Sequence, residues 1–589
     1  MERKEVPELY KWRVTDVFAS DEAWEKAFAE LENILDFAKY RGTLNCAENV
    51  LAYFKAEEAF SLAAMRVYLY AHLRHDEDVR VTKYNSYLAK VISLLTRASA
   101  ETAFATPELT ALDEETLSAL SADARLKDYD YVLARIKASK KYTLSEREEI
   151  ILAQASEPLG VAGDVFEMLD NADLNLPEIE YEGKTIQLSH GLYSVIMSGH
   201  DRAKREEAFK LYYSAFRKIL TTLATTYYGN VKANMFYKSV RGHESCLNKA
   251  LFEEDVDASV YARLVKSVSE ATPIMHRYMA LRKRVLGYAD MHMYDIYPSL
   301  VPNAELKLSF EEAFELCLKG LEPLGEEYLS LFRKGRDEGW IDVCETEGKR
   351  SGAYSIGIYG NHPFVLLNYQ KTTHDVFTIA HEMGHSLHSY YSNGAQPYAK
   401  ADYKIFVAEV ASTVNEVLLL KYLLKTTEDA NLKKYLLNYF MDMIRTTLFR
   451  QTQFAEFEEK AHALAEGGEP LNKDNLSSLY LELNKKYYGE AVTHDEEISF
   501  EWARIPHFYR SFYVYKYATG ITSAICIANR ILREGEKAVE DYKRFLKGGC
   551  STDPVSLLKI AGADLTAEAP FKAAMTEFEE ALKEFEALS

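Results

Sequence analysis

Residues 381–385 read His-Glu-Met-Gly-His, and no other stretch of the chain constrains the fold as tightly. Two histidines four residues apart converge on one ion only when the backbone between them is α-helical, because i and i+4 then project from one face. With 15 His in 589 residues, chance supplies roughly 0.04 such strings per chain, so the context decides. Thr372-x-x-Asp375 upstream has the form of a capping box, and no proline interrupts 372–390. Two neutral imidazoles at this spacing suit Zn²⁺, at about 2.0–2.1 Å each. Glu382, beside the first of them, is placed to take a proton from water at the metal. His388 lies on the same side, but three ligands along one straight helix would spread over two turns, ~10 Å. It therefore reads as a core residue or as a support behind the ligands.

A catalytic zinc needs a third protein ligand and an open position. The next helical segment, 402–424, carries Glu409 and Glu416 seven residues apart and so on one face, with Ser412 and Asn415 near the same line. Gly384 costs about 1 kcal/mol relative to Ala inside a helix, yet it lets a second backbone come close. Spacing alone does not choose between the two acids: one ligates, and the other accepts an imidazole N–H.

The frame around this segment reads as mostly α-helical. Glycine (27) and proline (14) make up about 7 % of the chain, against about 12 % in an average protein, so helix breakers are scarce. Ser20-Asp21-Glu22 opens a helix that continues through Trp24, Phe28, Leu31 and Leu35, and Phe571, Met575, Phe578, Leu582 and Phe585 form one apolar stripe on a closing helix. Two places break the rhythm. Residues 179–188 alternate about a turn at Glu182-Gly183, a small hairpin. Tyr354–Tyr359 alternates, Gly360-Asn361-His362-Pro363 turns, and Phe364–Tyr369 reads as a short buried or edge strand just before the histidine helix. An extended peptide adding to such an edge gains backbone hydrogen bonds whatever its sequence. His362 reads as a turn histidine outside the site.

A net charge of −20 with no basic stripe argues against a phosphate-tracking surface, against nucleic acid as a partner and, more weakly, against anionic membranes. No stretch reaches the ~18 apolar residues of a membrane span, and the charged start Met1–Val6 lacks the apolar core of a signal peptide. Six scattered cysteines without a CxxC pair point to reduced thiols and a cytoplasmic location.

Taken together, His381-Glu382-x-Gly384-His385-Ser386-x-His388-Ser389 and Phe406-Val407-Ala408-Glu409-Val410-Ala411-Ser412-Thr413-x-Asn415-Glu416 resemble oligoendopeptidase F, of the thimet oligopeptidase and neurolysin group of zinc peptidases. Asn368-Tyr369-x-x-Thr372-x-x-Asp375-Val376-Phe377-Thr378 and Ile505-Pro506-His507-Phe508-Tyr509-x-x-Phe512-Tyr513-x-Tyr515-x-Tyr517-Ala518-x-Gly520 match as well. The resemblance covers nearly the whole chain and is strongest over 340–520. It implies His381, His385 and Glu409 as ligands of one Zn²⁺ per chain, Glu382 as the catalytic glutamate, and His507, Tyr513 and Tyr515 as contacts to substrate, with His507 and Tyr515 facing the transition state. It also implies an elongated, two-lobed helical metallopeptidase of the zincin type, with a deep central channel and a small β-sheet beside the zinc helix. The domains expected from it are an N-terminal helical region (1–110), an N-terminal oligopeptidase-type domain with the hairpin (111–190) and a catalytic domain (191–589).

The activity so implied is zinc-dependent endopeptidase cleavage of short peptides. Two alternatives predict different behaviour. A zinc carboxypeptidase or dipeptidase on a related fold needs a free substrate terminus. A helical peptide-binding protein with a structural metal closes the site with a fourth ligand and cleaves nothing. Oligomeric state is not legible, because the sequence carries no heptad seam.

Overall fold

Several helices begin where the sequence supplies a cap. The Ser20 hydroxyl accepts from the Ala23 N–H at the head of Asp21–Asn33, and Ser309 and Glu312 exchange bonds at the head of Phe310–Gly320. The structure, a computed structural model, describes residues 1–302 and 304–588, apart from the side chain of Glu146. Among these residues helices dominate and only two small sheets occur. None of the helices is long and apolar enough to cross a membrane.

The hairpin lies where the alternation places it: β1 (Glu178–Tyr181) pairs antiparallel with β2 (Lys184–Gln187). Its two-residue turn has positive φ at both Glu182 (51°) and Gly183 (74°), as a primed hairpin turn requires. The second sheet contains β3 (Ile341–Asp342), β4 (Tyr354–Ile356) and β5 (Phe364–Leu366) in the order β3-β5-β4. β5 pairs parallel with β3 and antiparallel with β4. Phe364–Leu366 is thus the central strand, fully buried, and the outer strand beside the histidine helix is β4. Of the two readings of this segment, buried or edge strand, the structure bears out the buried one, and Phe364–Leu366 offers no free edge to a peptide.

The chain folds into two compact units, each assembled from three stretches: 1–150, 306–422 and 527–563 in the first, and 151–305, 423–526 and 564 onwards in the second. Compactness therefore divides the chain differently from the sequential scheme 1–110, 111–190 and 191–589. In the first unit the N-terminal helices are tied to the sheet across long sequence separations. The Tyr354 hydroxyl of β4 donates to the buried Asp76 of the Ala47–Glu77 helix at 2.8 Å, and Trp12 packs edge-on against Phe364 of β5. In the second unit the closing helix Ala569–Leu588 buries its whole apolar stripe from Phe571 to Phe585. A buried ionic knot lies in the same unit, where Glu501 accepts from Arg450 at 2.7 Å and from Arg504 at 2.8 Å. Burial opposes its charge, but the two guanidinium groups outweigh that and hold the Glu501 carboxyl down at about 2.

Candidate metal centre

The helix Thr373–Ala395 starts at the capping box read from the sequence: the Asp375 N–H donates to Thr372 Oγ1 (3.2 Å) and the Thr372 N–H to Asp375 Oδ2 (2.8 Å). The long helix read next, Ile405–Thr426, begins three residues later than read, after the short helix Tyr398–Ala401. The two cross at Gly384. A Cβ there would lie 2.6 Å from Ser412 Cα and 2.8 Å from the Ala411 carbonyl oxygen, so only glycine admits the approach. Asn415 fixes the register of the crossing, donating to the Ala380 carbonyl (2.9 Å) and accepting from the Tyr328 hydroxyl (2.9 Å).

With the helices locked this way, three ligand atoms meet. His381 Nε2 and His385 Nε2 are 3.1 Å apart, and Glu409 Oε2 lies 3.4 Å from the first and 3.6 Å from the second. A tetrahedral zinc with ligand bonds of about 2.05 Å has ligand–ligand edges of ~3.3 Å, so this triangle matches one face of the tetrahedron. Among the described residues these three form the one group of His, Cys, Asp and Glu able to share an ion, with no fourth member. All three are partly exposed rather than sealed in the core, compatible with the open position a catalytic site needs.

Glu416, one turn beyond the crossing, accepts the Nδ1–H of His381. This bond fixes the tautomer that leaves the Nε2 lone pair for a cation. Burial alone would lower the His381 pKa, but the charge and hydrogen bond of Glu416 lift it to about 9. Burial likewise works to raise Glu409, yet its contacts to His385 and His381 bring it to about 2. The acids thus favour positive charge at the two Nε2 positions, supplied by protons or by a metal ion. Glu382 is 7 % exposed, its Oε2 has no protein partner, and burial raises its carboxyl pKa. His388 is fully buried, stacked on Tyr403 at 3.8 Å, with neither ring nitrogen hydrogen-bonded to protein. It belongs to the core rather than to the triangle, without the hydrogen bonds expected of a satisfied core histidine.

β4 is fastened to the histidine helix by the Ser355–Ser386 hydroxyl pair at 2.8 Å. Sequence reasoning passed over this contact, although Ser386 follows the second ligand directly. In the second unit, His507, Tyr513 and Tyr517 form a half-exposed aromatic cluster, with ring centroids 6.1 Å (His507–Tyr513), 6.0 Å (His507–Tyr517) and 5.5 Å (Tyr513–Tyr517) apart. Tyr515 is not part of it: 1 % exposed, its ring lies 5.1 Å from Tyr261 in the core. The helix Tyr515–Glu534 starts only after Tyr513, which turns Tyr515 inward. Tyr517 is the member the sequence reading left out, and its spacing of four from Tyr513 was the available signal. Burial and then the Arg510 charge lower the His507 pKa, which keeps its imidazole neutral near pH 7 with one N–H to donate.

Comparison with known proteins gives concordant matches. Residues 195–577 match the model of peptidase family M3, and residues 108–175 that of oligopeptidase F. The chain is 42 % identical to oligopeptidase PepF of Bacillus subtilis, over 100 % of this chain and 88 % of that protein. It is 40 % identical to the group B oligopeptidase PepB of Streptococcus agalactiae, over 100 % and 98 %. The crystal structure of oligoendopeptidase-F from Enterococcus faecium superposes with a TM-score of 0.76 at 36 % identity, covering 96 % of this chain and 99 % of that one.

Proposed function

The chain belongs to peptidase family M3, and from that premise we propose how its residues divide the hydrolysis of a peptide bond. It is a mostly α-helical, zincin-type metalloendopeptidase acting on oligopeptides. We assign the metal as one Zn²⁺ per chain, held by His381, His385 and Glu409. The observation that carries this is the triangle of 3.1, 3.4 and 3.6 Å edges. When bound there, Zn²⁺ would supply a Lewis acid able to polarise the scissile carbonyl and acidify water. Glu382 takes the proton of the attacking water on its unpartnered carboxyl oxygen and passes it to the leaving amide nitrogen. Glu416 keeps His381 in the ligating tautomer. The edge of β4 offers backbone groups to an extended substrate main chain.

We assign substrate contacts to His507, Tyr513 and Tyr517. An imidazole N–H or a phenol aimed at the developing oxyanion contributes about 2.7–4 kcal/mol when well placed. We leave the buried Tyr515 out of this assignment. A cytoplasmic location is supported by the thiols of Cys46, Cys246, Cys317 and Cys344, which form no disulfide.

A fluorogenic peptide blocked at both ends tests the activity. It is expected to be cut internally, to become resistant after treatment with a chelator, and to be cut again when zinc is restored. Cleavage only of peptides with a free terminus would favour the exopeptidase alternative, and turnover indifferent to chelation would remove the metal from the reaction.

A further inference from the structure

Two anomalies meet beside the aromatic cluster. Phe512 has φ of +60°, and it is the one aromatic among the four non-glycine residues with positive φ in the described chain. For an L-residue with a bulky side chain this left-handed conformation is sterically disfavoured, so the surroundings must impose it. The second anomaly is Glu458, on the helix Arg450–Glu466. It is fully buried and, among the described residues, it has no cationic partner and its Oε2 has no hydrogen bond. Burial pushes its carboxyl up to about 8, which keeps it neutral near pH 7. An apolar side chain of the same volume would be cheaper to bury. Packing therefore gives no reason for an acid at this position.

The one bond that its carboxyl makes supplies the reason. Glu458 Oε1 accepts the N–H of Phe512 at 2.9 Å. The same turn is gripped from two helices. On Leu220–Arg241, Asn234 Nδ2 donates to Ser511 Oγ at 2.8 Å and Asn230 Nδ2 to the Phe508 carbonyl at 3.1 Å. One turn along from Glu458, His462 takes its Nδ1–H to the Glu458 carbonyl (2.8 Å), while its Nε2 accepts from Asn234 (3.2 Å). The left-handed residue ends the turn, lets the next helix start at Tyr515, and delivers Tyr513 to the face shared by His507 and Tyr517.

We propose that Glu458 is a positioning residue for substrate binding: by accepting the Phe512 N–H it holds that residue left-handed and so directs Tyr513 toward His507 and Tyr517. The inference rests on the reading of His507 and Tyr513 as substrate contacts.

The test uses the full zinc-loaded chain and the blocked fluorogenic peptide, with kcat, KM, the melting temperature and the exchange rate of the Phe512 amide measured for each variant. Glu458→Gln keeps an oxygen acceptor in place and is expected to stay within about 2-fold of the parent in kcat/KM. Glu458→Leu keeps the volume, discards the buried acid and removes the acceptor. It is expected to melt no lower than the parent, to exchange the Phe512 amide faster, and to lose ~10- to 100-fold in kcat/KM, chiefly through KM. A merely structural residue would show its loss in the melting temperature and leave KM alone. Should the leucine variant not fold, Asn234→Ala loosens the same turn from the other helix and is expected to give the same rise in KM. Parent-like KM in Glu458→Leu or in Asn234→Ala, or a glutamine variant as impaired as the leucine one, overturns the proposal. His507→Ala and Tyr513→Phe separate the two levels. If they impair binding while Glu458→Leu does not, the positioning role alone fails. If they leave kcat and KM unchanged, the reading of the segment fails and the proposal with it.

Discussion

Glu382→Gln is expected to lower kcat by about 10⁴-fold while the zinc content stays at the parent level. Glutamine has the shape of glutamate and none of its basicity, so the substitution removes the proton carrier and leaves the site otherwise unchanged. The proposed roles fall on different groups. His381, His385 and Glu409 bring together atoms able to share an ion, whereas Glu382 is not in that group and its buried Oε2 has no hydrogen-bond partner. Metal analysis beside steady-state kinetics checks both halves. Retention of a tenth of the activity would assign the proton transfer to another group, and loss of the metal would make Glu382 a ligand.

Glu409→Ala is expected to empty the site and to abolish hydrolysis with it. Two imidazoles would remain, and a pair of ligands does not hold zinc against solvent as three do. Glu416 is not free to substitute, because it is engaged with Nδ1 of His381 on the side away from the triangle. Glu416→Gln is therefore expected to be the milder change, weakening zinc by the ~10- to 100-fold typical of a lost partner behind a ligand. Full zinc occupancy in Glu409→Ala, with loss in the Glu416 variant, would exchange the two roles.

That pair of acids also shows where sequence reading stops. The i, i+4 histidines, the capping box at Thr372 and the glycine at 384 are local features, and the structure repeats each of them. The choice between Glu409 and Glu416 is a matter of register between two helices. Gly384 meets Ser412, which lies three residues after Glu409 and four before Glu416, so the acids flank the contact on opposite sides. No periodicity within one helix encodes that. The choice between a buried and an edge strand at Phe364–Leu366 stayed open for a related reason: strands of two and three residues carry too little alternation to assign neighbours, and the pairing is settled by distant segments. Tyr515 was taken from the family resemblance, which carries no information on local backbone; a left-handed Phe512 delays the helix to Tyr515, and that ring lies in the core. The two interleaved compact units, likewise, follow from contacts between stretches hundreds of residues apart.

The most direct measurement is a crystal structure of the zinc-loaded protein with the ion located by its anomalous scattering. The triangle predicts a single strong peak about 2.0–2.1 Å from His381 Nε2, His385 Nε2 and a Glu409 carboxylate oxygen, with the fourth position taken by solvent. A peak elsewhere, or a fourth protein atom closing the coordination, would contradict a catalytic zinc at this site.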